Sequence, residues 1–290
     1  MFGFEPNDFL EAVFLESFGK SPEIEHFQAV SGGCINNAAK VATSSGTFFI
    51  KWNENAPEDT FEIEIKGLQK LNSMGMPTPA VVASGRQKGK NYLLLEYLEG
   101  YPNKTFWQDL GKNLAHLHQN TNDFFGLEYD NYIGALRQTN TPTANGINFF
   151  IEKRLKIQAG LAFYNGFVEK SFLEKLERLY EKLPNLLPDE KPALLHGDLW
   201  SGNIITHNKG YAVLIDPAVY YGLREAEIAF TRLFGNFENK FYEAYEDVFP
   251  LEKGFADRVV IYNLYPLLVH LNLFGKSYLP AIERVVEKFT

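Results

Sequence analysis

Of 290 residues only one is a cysteine, Cys34, so an internal disulfide cannot form. That excludes the stapled scaffold of small secreted domains and fits a reducing, cytoplasmic setting. An excess of basic charge is also missing. Lys and Arg number 28 against 36 Asp and Glu, a net charge of −8, which argues against a nucleic-acid partner because phosphate backbones demand a basic face. No stretch approaches the ~20 apolar residues of a membrane span. The opening "MFGFEPNDFLEAVF" lacks the basic-then-apolar start of a signal peptide. Histidines are few, and His116 and His118 lie two apart in "LAHLHQ". On a helix they face different ways, so a histidine-held metal is not expected.

What is present is an ordinary folded composition, 45% hydrophobic and 22% charged, with 15% aromatic residues. The length suffices for one large domain or two lobes. Residues 7–18 read as a helix. "HFQAV", "NNAAKVATSS" and "GTFFIKWN" read as strands, followed by a helix over "PEDTFEIEIKGLQKLNSMG". Two more strands, "TPAVVASGR" and "KNYLLLEYLEG", flank a "QKGK" turn. Beyond residue 98 helical spacing dominates: "TFWQDLGKNLAHLHQNT", then 147–164, 168–182 and the chain from 223 onward. Strands first and helices later predict an α+β fold with two lobes, residues 1–98 and 99–290.

The chemistry concentrates in "ALLHGDLWSGNII", residues 193–205. Gly197 and Gly202 break regular structure between two apolar runs, giving a tight loop that presents Asp198 and Asn203. Asn203 follows Asp198 by five residues, the spacing of a kinase catalytic loop, and Asp216 ends the apolar strand "VLIDPA". Phosphoryl transfer uses this set: one carboxylate orients and deprotonates the attacking hydroxyl, while a second carboxylate and an amide hold Mg²⁺ against the phosphates of ATP. Upstream, Lys51 in "FFIKWN" places a charge inside an apolar strand. It suits contact with ATP phosphates and pairing with a helix carboxylate. Glu64 is the expected partner and Glu62 the reserve, since residues two apart on a helix point about 200° apart. The segment "SGGCINN", 31–37, with Gly32 and Gly33, could fold over phosphates through backbone N–H groups.

With these motifs, "HGDLWSGN", "GGCIN", "YYGLREAEIAFTRLFG" and "YNLYPLLVHLNLFG" together resemble the fructosamine kinases (ketosamine-3-kinases), relatives of aminoglycoside and choline phosphotransferases. The resemblance runs from about residue 8 to the last residue. It implies a protein-kinase-like fold whose N-terminal antiparallel sheet with one helix binds nucleotide and whose larger, mostly helical C-terminal lobe carries the catalytic loop and acceptor pocket. It further implies ATP-dependent phosphorylation of the sugar 3-hydroxyl of a ketose-linked amine, a small-molecule substrate. It carries over Asp198 as catalytic base, Asn203 and Asp216 as Mg²⁺ ligands, and Lys51 with Glu64 as the phosphate-positioning pair. Glu96, Tyr97 and Leu98 correspond to the segment whose backbone meets adenine. Leu223 stands where the family usually has His, Gly146 where Trp is common and Val269 where Asn is frequent, all expected near the acceptor.

Several residues keep two readings. Trp200 is either a wall for the sugar or a wedge for the loop. Arg224 and Glu225 are either acceptor contacts or a structural ion pair. His196 is expected to orient the loop by hydrogen bonding. Cys34 either packs or, beside N–H donors and Lys51, is redox-sensitive. Another acceptor (aminoglycoside, amino alcohol or sugar) is the competing function. A nucleotide-binding pseudokinase is less consistent with an intact Lys51, Asp198, Asn203 and Asp216.

Overall fold

The computed structural model describes residues 6–30 and 36–290. Gly32, Gly33 and Cys34, expected at the phosphate loop, lie outside the described residues. The chain begins with α1 (Pro6–Phe18), then β1 (Ile24–Ala29), β2 (Asn37–Thr43), β3 (Gly46–Asn53), α2 (Thr60–Ser73), β4 (Val81–Gln87) and β5 (Lys90–Glu96). The five strands form one antiparallel sheet in the order β1-β2-β3-β5-β4. Strand alternation sorts its side chains onto two faces. Ile50, Trp52, Tyr92 and Leu94 pack under Phe9, Leu10, Val13 and Phe14 of α1. Leu93 and Leu95 face the other way, against Phe61 and Leu68 of α2. Lys51, between Ile50 and Trp52, is thereby aimed at α2.

After an irregular connector come α3 (Phe106–His118), β6 (Asn131–Ile133), β7 (Leu136–Gln138), α4 (Gly146–Phe149), α5 (Lys156–Tyr164) and α6 (Lys170–Leu186). Then follow β8 (Ala193–Leu195), β9 (Ile204–Thr206), β10 (Ala212–Leu214) and β11 (Tyr220–Gly222). The last helices are α7 (Arg224–Leu233), α8 (Asn239–Val248), α9 (Phe255–Tyr262), α10 (Leu264–Phe274) and α11 (Leu279–Phe289). In α6, Phe172, Leu176, Leu179 and Leu183 recur at helical spacing and are buried. The large core gathers these with the rest of the helices, and it also takes in Leu71 and Met76 from the end of α2 and the loop beyond it. Packing therefore crosses the boundary expected near residue 98. Among the described residues no helix is long and apolar enough to cross a membrane.

Three local features depart from the sequence reading. The β6–β7 hairpin occupies a region without strand periodicity. Its polar residues are consumed inward: Asn131 donates to the Val219 carbonyl (2.7 Å) and Gln138 to that of Ala218 (3.1 Å). The helix expected over 147–164 contains a wide turn, Phe150–Leu155, between α4 and α5. And α6 runs past residue 182 through Pro184. Pro184 has no N–H to donate to the Tyr180 carbonyl, and the helix ends two residues later.

Candidate active site

Lys51 is 5% exposed. Its Nζ meets Glu64 Oε1 at 2.8 Å and also contacts Asp216 Oδ1. Burial alone would depress its pKa, but the two carboxylates outweigh that and hold the ammonium charged. Glu62 instead pairs with Lys66 at 2.7 Å on the outer face of α2. Of the two candidate acids, Glu64 is the one that faces Lys51. Asp216 sits in the left-handed backbone region with φ +55°. That conformation costs an L-residue about 1–2 kcal/mol, and such outliers cluster at functional sites.

The loop between β8 and β9 is fastened from both ends. Asn203 donates Nδ2–H to the Asp198 carbonyl (2.8 Å) and to Asp198 Oδ2 (3.0 Å). Its own carbonyl accepts from the Ile215 amide at 3.1 Å, which brings Asp216 alongside through the β9–β10 hairpin. His196 is fully buried. Its Nε2–H donates to the Ile215 carbonyl (3.0 Å), while Nδ1 accepts from the Asp198 amide (3.2 Å). These partners define the neutral tautomer, and burial lowers its pKa accordingly. Gly197, at φ +85°, passes so close to the Ala218 carbonyl that a Cβ would lie 2.0 Å from its oxygen. Only glycine fits.

Asp198 lies at a cavity bordered by Tyr220, Phe230, Tyr265, Val269 and His270. Burial pushes its carboxyl well above the usual range, and the charges of Asp216 and Glu227 push the same way, against the Asn203 amide. A raised pKa makes a stronger base for an incoming hydroxyl. Asn203 has both amide hydrogens engaged, so Oδ1 is its remaining donor atom. Together with the Asp216 carboxylate it offers hard oxygen atoms of the kind that could hold Mg²⁺.

Trp200 acts as a wedge: its indole covers Gly202, where a Cβ would lie 2.2 Å from the ring. It also meets Phe234 edge-on at 6.1 Å, and Phe234 leads to His270 at 4.9 Å and so to the cavity rim. Arg224 and Glu225 require a correction, since neither borders this cavity. Arg224 donates to Glu190 (2.7 Å) and to the carbonyls of Phe249 and Pro250 (3.0 and 2.8 Å). Glu225 accepts from Arg258 Nε and Nη2 at 2.7 and 2.6 Å. Their charged atoms are spent inside the helical packing, on Glu190 and Arg258 and not on each other as a single Arg224–Glu225 ion pair would have it. Leu223 and Gly146 also lie away from the cavity and against each other; a Cβ on Gly146 would be 2.8 Å from Leu223 Cδ2. Val269 alone of the three positions borders it.

Near the sheet, Glu96 is tied to Ala80, donating its amide to that carbonyl (3.0 Å) and accepting the Ala80 amide on Oε1 (2.7 Å). Leu98 is half-buried in the connector. Lys40 lies 4.2 Å from the Tyr97 ring centroid and pairs with Glu99 at 2.9 Å. The sequence reading did not single out Glu227, which is 3% exposed and accepts from the amides of His196 (3.0 Å) and Gly197 (2.7 Å). Nor did it assign a role to His118, whose Nε2 lies 3.0 Å from the same carboxylate. An acid on the buried side of an amphipathic helix was the available signal.

Comparison with known proteins gives the family and the fold. The fructosamine kinase family profile matches residues 8–290. A probable ketoamine kinase of Enterococcus faecium is 40% identical over 262 residues, 90% of this chain and 94% of that protein. A chloroplastic protein-ribulosamine 3-kinase of Oryza sativa subsp. indica is 36% identical over 93% of this chain and 80% of its own length. A crystal structure named as a "putative fructosamine-3-kinase", from Haemophilus somnus, superposes with TM-score 0.87 at 29% identity, covering 97% of both chains. The fold extends further: an aminoglycoside phosphotransferase solved with AMP-PNP and hygromycin B gives TM-score 0.63 at 16% identity over 96% and 97% of the two chains.

Proposed function

Because the chain belongs to the fructosamine kinase family, and is thus an ATP-dependent kinase of two-lobed α+β fold, we propose that it phosphorylates the 3-hydroxyl of a ketosamine. The observation that carries this reading is one constellation. A basic, cavity-facing Asp198 is bonded to Asn203, and Asn203 is pinned beside Asp216, which in turn meets the Lys51–Glu64 pair. Asp198 orients the acceptor hydroxyl and takes its proton as the oxygen attacks the γ-phosphorus. Lys51, held by Glu64, positions the ATP phosphates. Asn203 Oδ1 and the Asp216 carboxylate would hold Mg²⁺, which when bound neutralises phosphate charge. Residues 1–98 form the nucleotide-binding lobe and 99–290 the acceptor lobe, with Glu96 and Leu98 in the segment next to adenine. Gly32 and Gly33 belong to the phosphate loop on the sequence reading alone.

For the acceptor, the rings of Tyr220, Phe230, Tyr265 and His270 that border the cavity at Asp198 suit a sugar and a cationic amine. The acidic net charge of −8 suits an amine better than a nucleic acid or an anionic surface. The single cysteine favours the cytoplasm. The test is ATP-coupled turnover measured across a fructosyl-amine, the same amine unglycated, an aminoglycoside and a simple amino alcohol. The fructosyl-amine is expected to turn over and its unglycated parent not, since a site that bonds sugar hydroxyls strongly rejects analogues without them. Preferential turnover of the aminoglycoside would replace the ketosamine reading.

A further inference from the structure

Glu227 is buried on α7 and faces three hydrogen-bond donors with two oxygens. Oε1 accepts the Gly197 amide at 2.7 Å; Oε2 accepts the His196 amide and His118 Nε2–H, both at 3.0 Å. His118, from α3, is fixed in turn. Its Nδ1 lies 2.8 Å from the Tyr245 hydroxyl of α8, and that hydroxyl lies 3.4 Å from Arg224 Nη1. Arginine can only donate. The Tyr245 oxygen therefore accepts from Arg224 and its proton points to Nδ1, which leaves Nε2–H for the carboxylate. The donors run in one direction, from Arg224 through Tyr245 and His118 to Glu227. The two amides that complete the carboxylate belong to the residues just before Asp198.

We propose that Glu227, oriented by His118, is the positioning residue of the catalytic loop, fixing the backbone at His196 and Gly197 so that Asp198 points into the acceptor cavity. Physical necessity supports the assignment. A left-handed glycine has broad freedom; the Ala218 carbonyl and the Tyr220 ring crowd Gly197 from one side, and this carboxylate is the side-chain acceptor that holds its amide. The His118 hydrogen bond and the amide of Gly197 overcome the effect of burial and keep the Glu227 carboxyl below its ordinary range. It therefore serves as a permanent acceptor. Helices α3, α7 and α8 in this way set the loop geometry that β8 and β9 alone leave free. Displacing a reacting group by about 1 Å costs on the order of 10²-fold in rate.

The inference rests on Asp198 as the base, and the test separates the two. Glu227→Gln keeps the shape but supplies one oxygen, so its NH₂ must face at least one of the three donors. Hydrogen–deuterium exchange of the segment 195–199 is read in the free enzyme, beside melting temperature. Turnover is read with ATP and a fructosyl-amine. In E227Q the loop amides should exchange at least tenfold faster while the sheet of residues 24–96 is unchanged; kcat should fall about 10- to 100-fold, with KM for ATP within twofold. His118→Phe should do the same more weakly, and should add less than twofold to E227Q because it acts through the same carboxylate. Should E227Q not fold, H118F and its loop exchange carry the test alone. Unchanged loop exchange in a folded variant would overturn the proposal, as would full additivity of the two losses or faster exchange spread evenly over the protein. Asp198→Asn measured in parallel judges the base: it should lose kcat with loop exchange intact. If it keeps kcat, the base reading fails while the exchange data still decide Glu227.

Discussion

Asp198→Asn should move activity and stability in opposite directions. Asparagine fits the same space, and its Oδ1 can accept the Asn203 amide hydrogen that Asp198 Oδ2 accepts at 3.0 Å. What it loses is the charge and the basicity. A positioned general base contributes ~10²–10⁴ in rate, or about 3–5 kcal/mol of barrier. The folded protein, however, works against that charge: burial and the neighbouring Asp216 and Glu227 hold the carboxyl well above its usual range. A carboxyl whose folded pKa is raised binds more protons folded than unfolded, so stability falls as pH rises from the unfolded value through the folded one. At neutral pH, above the unfolded-state value, burying this carboxyl is thus a cost that asparagine removes. The gain should be on the order of 1 kcal/mol, the scale typical of relieving strain at an active site, and a few degrees in Tm. Thermal melts and steady-state kinetics on the same preparation measure both. A lower Tm, or a kcat near that of the wild type, would refute the argument, because a merely structural turn loses stability and keeps its turnover.

Two further substitutions test the surrounding shell. Glu64→Gln should lower kcat/KM for ATP by at least tenfold because Lys51 loses the negative charge of its 2.8 Å partner, whereas Glu62→Gln, which breaks only a surface pair worth ~0–1 kcal/mol, should leave kinetics within twofold; equal effects would remove Glu64 from its assigned role. Gly197→Ala places a Cβ 2.0 Å from the Ala218 oxygen at φ +85° and should cost about 2–4 kcal/mol of stability together with activity, read by denaturant unfolding; a wild-type midpoint would mean the loop is free to shift.

Most of the proposed catalytic set was legible because each member violates its surroundings. A lysine amid "FFIKWN" and polar residues wedged between "ALL" and "II" have no packing reason to be there. Helix geometry allowed only one of Glu64 and Glu62 to face Lys51, and the structure shows it to be Glu64. What stayed hidden depends on partners that side-chain patterns do not encode. Glu227 answers backbone amides 30 and 31 residues away, and in sequence "REAEIAF" is only an amphipathic helix with acids. Arg224 and Glu225, in the same stretch, looked available because Glu190 and Arg258 lie more than thirty residues off. The β6–β7 hairpin has strands of three residues, too short for a period to register.

The distribution of charge explains why these parts are arranged as they are. Asp198, Asp216, Glu227 and Glu64 converge on a region in which Lys51 meets two of the four. Such a site repels a bare nucleotide and attracts cations, which favours both a metal-carrying nucleotide and an amine-bearing acceptor. The same crowding bears on both Asp198 and Glu227, and each is differently supported. Glu227 has three strong donors and stays ionised as a fixed anchor. Asp198 has the Asn203 amide, too little to offset burial, and remains the carboxylate that readily takes a proton. Two acids within one small volume are thus driven to opposite tasks by the number of hydrogen bonds each receives. Moving a donor from one to the other would exchange a base for a buttress.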